Sequence, residues 1–234
     1  MLGKLVRLCV ALLVALGALA SCGSNAAPNP RLQAAENGGA LGLSDALEEL
    51  IDEGRATARD RTFAYEQVIR MQEDTAQAAY ARAVVIGRLV EVRGLRAASL
   101  VRDVEREAER SRQLDPGFRN GAATQVLGML YVMAPGALLA HGNSERGIAL
   151  LEELVKRYPG VLEHRLRLGE AFLALSDLES AEPHVCQCLL RRPDLKGEDK
   201  RRLDRLLADN PDLKCPGPRP ASSAEGATTP PATP

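Results

Sequence analysis

Between about Leu43 and Ala208 the chain carries apolar residues every three or four positions, as in Val104 and Ala108 or Leu150, Leu151 and Leu154, and shows no sustained alternation. That is the period of helices with one face in a core. Proline punctuates the pattern. Asp115-Pro116, Tyr158-Pro159 and Arg192-Pro193 each close an apolar-periodic run, and these prolines stand 43 and then 34 residues apart. A proline lacks the backbone donor that the next helical turn needs, so it marks a stop. Between the stops the same residue types recur at the same offsets. The last unit reads Leu168-Gly169, Phe172, Ala181, Val185, Cys188 and Pro193. The unit before it reads Leu127-Gly128, Tyr131, Gly147, Leu151, Leu154 and Pro159, with about seven extra residues at 135–142. Gly87, Val104, Ala108 and Pro116 form a weaker copy, residues 44–74 form a helical pair without the marks, and the charged segment 197–208 has the place of a cap.

A small residue where two helices cross lets their backbones approach, and the large apolar positions then fill the seam to the next pair. No pair of this kind buries its own face, so stacking is obligatory. The spacing resembles the tetratricopeptide repeat. The expected fold is therefore all-α: antiparallel helix pairs over residues 43–210, stacked as a tetratricopeptide-like superhelix with a C-terminal cap helix. Pro183 falls inside the second helix of the last pair, where a kink or shortening is expected. In tetratricopeptide repeats the first helix of each pair lines a concave face. By that resemblance the groove is Ala81, Val84, Arg88 and Glu91, then Ala122, Gln125, Met129 and Val132, then Glu163, Leu166, Glu170 and Leu173. Its centre is apolar and its ends are charged, which suits a protein partner or an apolar small ligand. The insertion, with Gly136 and Gly142, lies beside it as a flap.

A closer resemblance rests on Leu127-Gly128, Tyr131, Ala134-Pro135, Gly142-Asn143 and the leucines that follow, together with Tyr80, Ala83, Gly87 and Asp115-Pro116. These are similar to the TatT family of periplasmic lipoproteins associated with TRAP transporters. The resemblance implies an accessory role beside such a transporter. The alternative is a structural scaffold of an envelope complex whose contacts lie on the convex face or the tail.

The N-terminal stretch reads as an address. Lys4 and Arg7 precede an apolar run from Leu8 to Ala20, which is shorter than a membrane-crossing helix. It ends in Leu19-Ala20-Ser21-Cys22, which resembles a bacterial lipobox and implies a signal peptide over 1–21 with acylation of Cys22. Acyl chains hold a protein on a bilayer without a spanning helix. Gly23 after the cysteine favours the outer membrane, with the chain facing the periplasm. Residues 22–42, rich in Asn, Ala, Gly and Pro, read as a flexible tether, and 211–234 as a disordered Pro-rich tail.

Composition narrows the chemistry. A formal net charge of -1 supplies no field for nucleic acid, and 3% aromatics without tryptophan leave no stacking platform. The three histidines, His141, His164 and His184, form no metal or hydrolase motif, so no enzyme activity and no cofactor is expected. His184-Val-Cys186-Gln-Cys188 lacks the further ligands a closed zinc site needs, and Cys188 falls on a core position. In an oxidising envelope Cys186 and Cys215 form a candidate disulfide, which leaves one thiol free.

Overall fold

The computed structural model describes residues 27–216; the leader, Cys22 and the end of the tail lie outside the described residues. Among the described residues there is no strand, and no helix is long and apolar enough to cross a membrane. The helices are α1 (Pro30–Ala35), α2 (Gly39–Asp52), α3 (Ala58–Val68), α4 (Ala76–Arg93), α5 (Val101–Leu114), α6 (Ala122–Met133), α7 (Ser144–Arg157), α8 (Leu162–Ala174), α9 (Leu178–Leu190) and α10 (Gly197–Asp209). They pack as the pairs α2–α3, α4–α5, α6–α7 and α8–α9. The first helices α2, α4, α6 and α8 also touch in sequence, which makes them the inner wall of the stack.

The tether expected over 22–42 ends early. Pro30 opens α1 in the first-turn position, where its missing donor costs nothing, and the Asn29 side chain accepts from Arg31 N. The Asn29 amide donates to Asp60 Oδ1 at 2.8 Å, and Asp60 closes a capping box with Thr57 at the start of α3. Leu32 and Ala40 are fully buried with Leu43, Leu47 and Leu50. The folded body therefore begins near Pro30, because a Gly- and Ala-rich composition hid one buried leucine and a capped start.

The apolar clusters follow the stack, one to each junction. Leu127, Tyr131 and Leu150 sit with Ala83 and Val101 between the second and third pairs; Leu151, Leu168 and Ala171 join the third to the fourth. Within the third pair the backbones nearly touch. A Cβ at Gly147 would lie 2.7 Å from the Gly128 carbonyl oxygen, and one at Gly128 would lie 2.7 Å from Leu151 Cγ. Pro183 does not end α9, which runs through it from Leu178 to Leu190. Glu179, whose carbonyl loses its partner there, is exposed along with Pro183, so the loss falls on the side open to water.

Two histidines keep a buried ring nitrogen without a partner, His164 in the core and His184, half-buried, within the last pair. His164 Nε2 lies 2.9 Å from the Asn120 carbonyl while its buried Nδ1 has no partner; His184 stacks on Phe172 and also keeps a buried, unpartnered Nδ1. Burial lowers both pKa values, with Arg165 adding to the effect at His184.

Two outcomes are expected. Gly147→Ala overpacks the crossing and costs on the order of 1–3 kcal/mol, read as a lower urea midpoint, whereas Gly160→Ala, which points into open space, leaves it unchanged. The second concerns pH. Unfolded histidines take up a proton near about pH 6.5, whereas folded His164 and His184 take it up only at lower pH. Stability is thus unaffected above that value and falls as pH drops through it toward the folded pKa values. The thermal midpoint of a His164→Gln/His184→Gln variant should decline less between pH 7 and 5 than that of the wild type; an identical decline would assign the loss to other groups.

Candidate functional site: a cavity closed by the C-terminal helix

The helical inner wall, α5 and α10 line an open-sided cavity of about 690 Å³. One side is apolar, from Val84 and Val90 on α4, Val101 and Val104 on α5, and Val126, Met129, Leu130 and Met133 on α6. Met133 is 57% exposed at its edge. The other side is charged, with Glu48, Arg88, Glu91, Arg167, Glu170, Glu198, Arg202 and Arg205.

Val84, Arg88, Glu91, Gln125, Met129 and Glu170 line this cavity. Six other positions read from the same offsets, Ala81, Ala122, Val132, Glu163, Leu166 and Leu173, do not. Val132 packs at the α6–α7 crossing, where a Cβ on Gly147 would lie 2.8 Å from its Cγ2. Leu166 is fully buried with Leu162, Val185, Leu195 and Leu203, and Leu173 lies against the same cluster. Ala81 and Ala122 are likewise buried.

The cause is α10. It does not simply solvate the end of the stack; it packs on α8 and α9 and reaches back to α2. Leu203, Leu206 and Leu207 cover the face on which Leu166 and Leu173 would otherwise be open. Its N-terminus meets the C-terminus of α2, and the two helix ends cap each other. Glu198 N donates to Asp52 Oδ1 at 2.7 Å, and the Arg201 guanidinium donates to the Ile51 and Asp52 carbonyls at 2.9 and 3.1 Å. Both contacts place a charge of favourable sign at a helix end.

The charged side is a continuous chain of alternating sign. Arg88 pairs with Glu48 at 2.6 Å and Glu198 at 2.9 Å; Arg202 joins Glu198 at 2.9 Å to Glu170 at 2.7 Å; Arg167 joins Glu170 at 3.2 Å to Asp199 at 3.0 Å. Burial opposes ionisation of Glu198, but Arg88, Arg167 and Arg202 outweigh it and hold the carboxyl at about 2. At Asp199 burial wins and raises the pKa despite Arg167.

The insertion is a wall rather than a flap. Leu139 is buried in the core, and the Ala140 and His141 amides donate to Glu105 at 2.6 and 2.8 Å. Gly142 lies so close to the Tyr131 ring that a Cβ would fall inside it. A second cleft of about 650 Å³ between α5, this wall and α7 is rich in arginine. Arg106, Arg110 and Arg146 there are already paired with Asp103, Asp74 and Glu109.

Cys186 and Cys215 form a disulfide that fastens the segment after α10 to α9. Cys188 is a free, buried thiol, pushed up to about 12 by burial. With Cys186 in the disulfide and His184 on Phe172, the cysteine–histidine run holds no ligand set; among the described residues no group of three metal-ligating side chains converges. The residues missed from sequence are the α10 charges, Glu48 and the apolar start of α5. The first two belong to no repeat offset, and the last lies on a second helix.

Residues 137–193, which run from the insertion to the end of the last pair, match the tetratricopeptide repeat family model. No curated protein matches the chain. The match supports a tetratricopeptide-repeat protein and, with it, a protein–protein interaction module.

Proposed function

We propose that this chain is a lipoprotein of the cell envelope, anchored through Cys22, whose repeat stack binds a protein partner in the cavity between α4, α5, α6 and α10. The observation that carries the reading is the cavity's division into an apolar side, with Met133 exposed at its edge, and a charged side in which Arg88 and Glu170 hold fixed, partly desolvated positions. Apolar surface supplies affinity, and fixed charges select register and partner. The resemblance of the segment around Leu127 and Tyr131 to TatT lipoproteins supports an accessory role beside a TRAP-type transporter. The Leu19–Cys22 box followed by Gly23 supports an outer-membrane anchor facing the periplasm. The apolar side also favours a second reading, an apolar small ligand held against Val104, Met129 and Leu130.

A photo-cross-linking residue at position 133, in the producing cells, separates these readings. One protein species cross-linked from position 133 and not from exposed position 152 is the expected result. An adduct of small-molecule mass moves the assignment to the apolar ligand, and equal products from both positions reject the cavity as the binding face. The anchor is tested independently: Cys22→Ala should abolish acyl labelling and release the chain from membranes, and labelling that persists refutes it.

A further inference from the structure

A permanent cap could be built from apolar contacts alone. Replacing a buried ion pair by well-packed apolar side chains is often neutral or stabilising, so desolvated pairs serve specificity and register better than stability. The N-terminal half of α10 nonetheless engages the inner wall almost entirely through charge. Arg88, Glu170 and Arg167 are 12%, 11% and 15% exposed, and their α10 partners Glu198, Asp199 and Arg202 are 18%, 9% and 17% exposed. The wall reads a charge order along the helix: two acids in the first turn and an arginine one turn later. Leu203 and Leu206, on the following turns, fill the apolar seam over Leu166 and Leu173. This is how a helix-binding groove recognises a helical ligand, by anchors at three- and four-residue spacing.

We propose that α10 is the intramolecular occupant of a helix-docking face, and that the partner helix displacing it carries the same order, acid-acid-x-x-Arg-Leu followed by a leucine three residues on. The proposal rests on reading the concave side as the partner face and adds what that partner looks like and what it must compete with. The disulfide keeps the end of α10 beside α9, so a displaced helix stays attached to the molecule. A tethered competitor acts at an effective concentration on the order of millimolar. A partner in trans therefore binds weakly until the charge pairs of α10 loosen.

The probe is a fluorescein-labelled synthetic peptide of residues 196–210, titrated against the full chain with its disulfide intact and followed by anisotropy. Glu198→Arg in the protein sets a second cation against Arg88 and Arg202 and should expel its own helix. That variant is expected to bind the wild-type peptide at least tenfold more tightly than the wild-type protein does. A peptide bearing Glu198→Arg should not bind it, but should bind a protein carrying Arg88→Glu alone, whose own Glu198 then faces an acid and leaves the reversed site open. Absence of peptide binding by a Glu198→Arg protein that still melts cooperatively overturns the proposal, as does binding indifferent to the charge reversal. If that variant does not fold, amide exchange in Glu198→Gln decides: faster exchange in 197–209 with 162–174 unchanged supports a separable occupant. Joint acceleration of both segments means α10 is only a structural cap. Should position 133 cross-link a protein partner while the peptide fails, the partner face stands and the competitive role of α10 alone falls.

Discussion

Arg88 is where the first pair of the stack and its last helix meet. Its guanidinium contacts Glu48 on α2 and Glu198 on α10, residues far apart in sequence and brought to one point by the curvature of the stack. Burial opposes its charge, but Glu48, Glu91 and Glu198 more than offset that, so it stays cationic. A superhelix of helix pairs is in principle open, since each pair needs only its neighbours. Here that contact adds α10 as a wall to the groove, and it decides which repeat positions remain free. Leu166 and Leu173 belong to the groove by repeat offset and to the core by structure, because the helix that reaches Arg88 lies over them.

The closure is electrostatic, and that sets its character. From Glu48 through Arg88, Glu198, Arg202, Glu170 and Arg167 to Asp199, each charge but the terminal two lies between two of opposite sign. In a partly desolvated setting such a line is worth more together than its pairs counted singly, and any single unpaired member is costly. The opposite carboxyl shifts of the neighbours Glu198 and Asp199 follow from it. Glu198 is reached by two arginines and is held ionised, whereas Asp199 has one arginine at contact and deeper burial. The same line explains why α10, strongly polar by composition, docks on the inner wall rather than lying outermost in solvent.

The repeat architecture was legible because its signals are local. Pro116, Pro159 and Pro193 end helices by backbone chemistry, and small residues mark the crossings, Gly128 against Gly147 and Gly169 against Val185. Six of the twelve positions read from the repeat offsets line the cavity, because the first helices do form the inner wall. What was not legible depends on contacts between residues far apart in the chain. Nothing near Glu198 signals Arg88, and nothing near Leu166 signals Leu203. The start of the body was missed for a related reason: Asn29-Pro30 is a helix-start signal, but the capping partner of Asn29, Asp60, is supplied by α3. Composition alone made the segment look like a linker.

The cavity's boundaries differ in how firmly they are held, and this bears on how anything enters. On the insertion side, Glu105 is almost wholly buried and accepts two backbone amides, Leu139 is in the core, and Gly142 abuts the Tyr131 ring. Opening there would part the Glu105 carboxylate from its two amide donors and remove apolar side chains from the core, so that wall is fixed. On the α10 side, Glu198 and Arg202 are 18% and 17% exposed, and a partner helix carrying the same charges would replace their pairs rather than leave any member unpaired. Only the leucines of α10 resist leaving, and a replacement helix that brings leucines of its own removes that resistance. The movable boundary of this cavity is therefore the one that resembles a ligand.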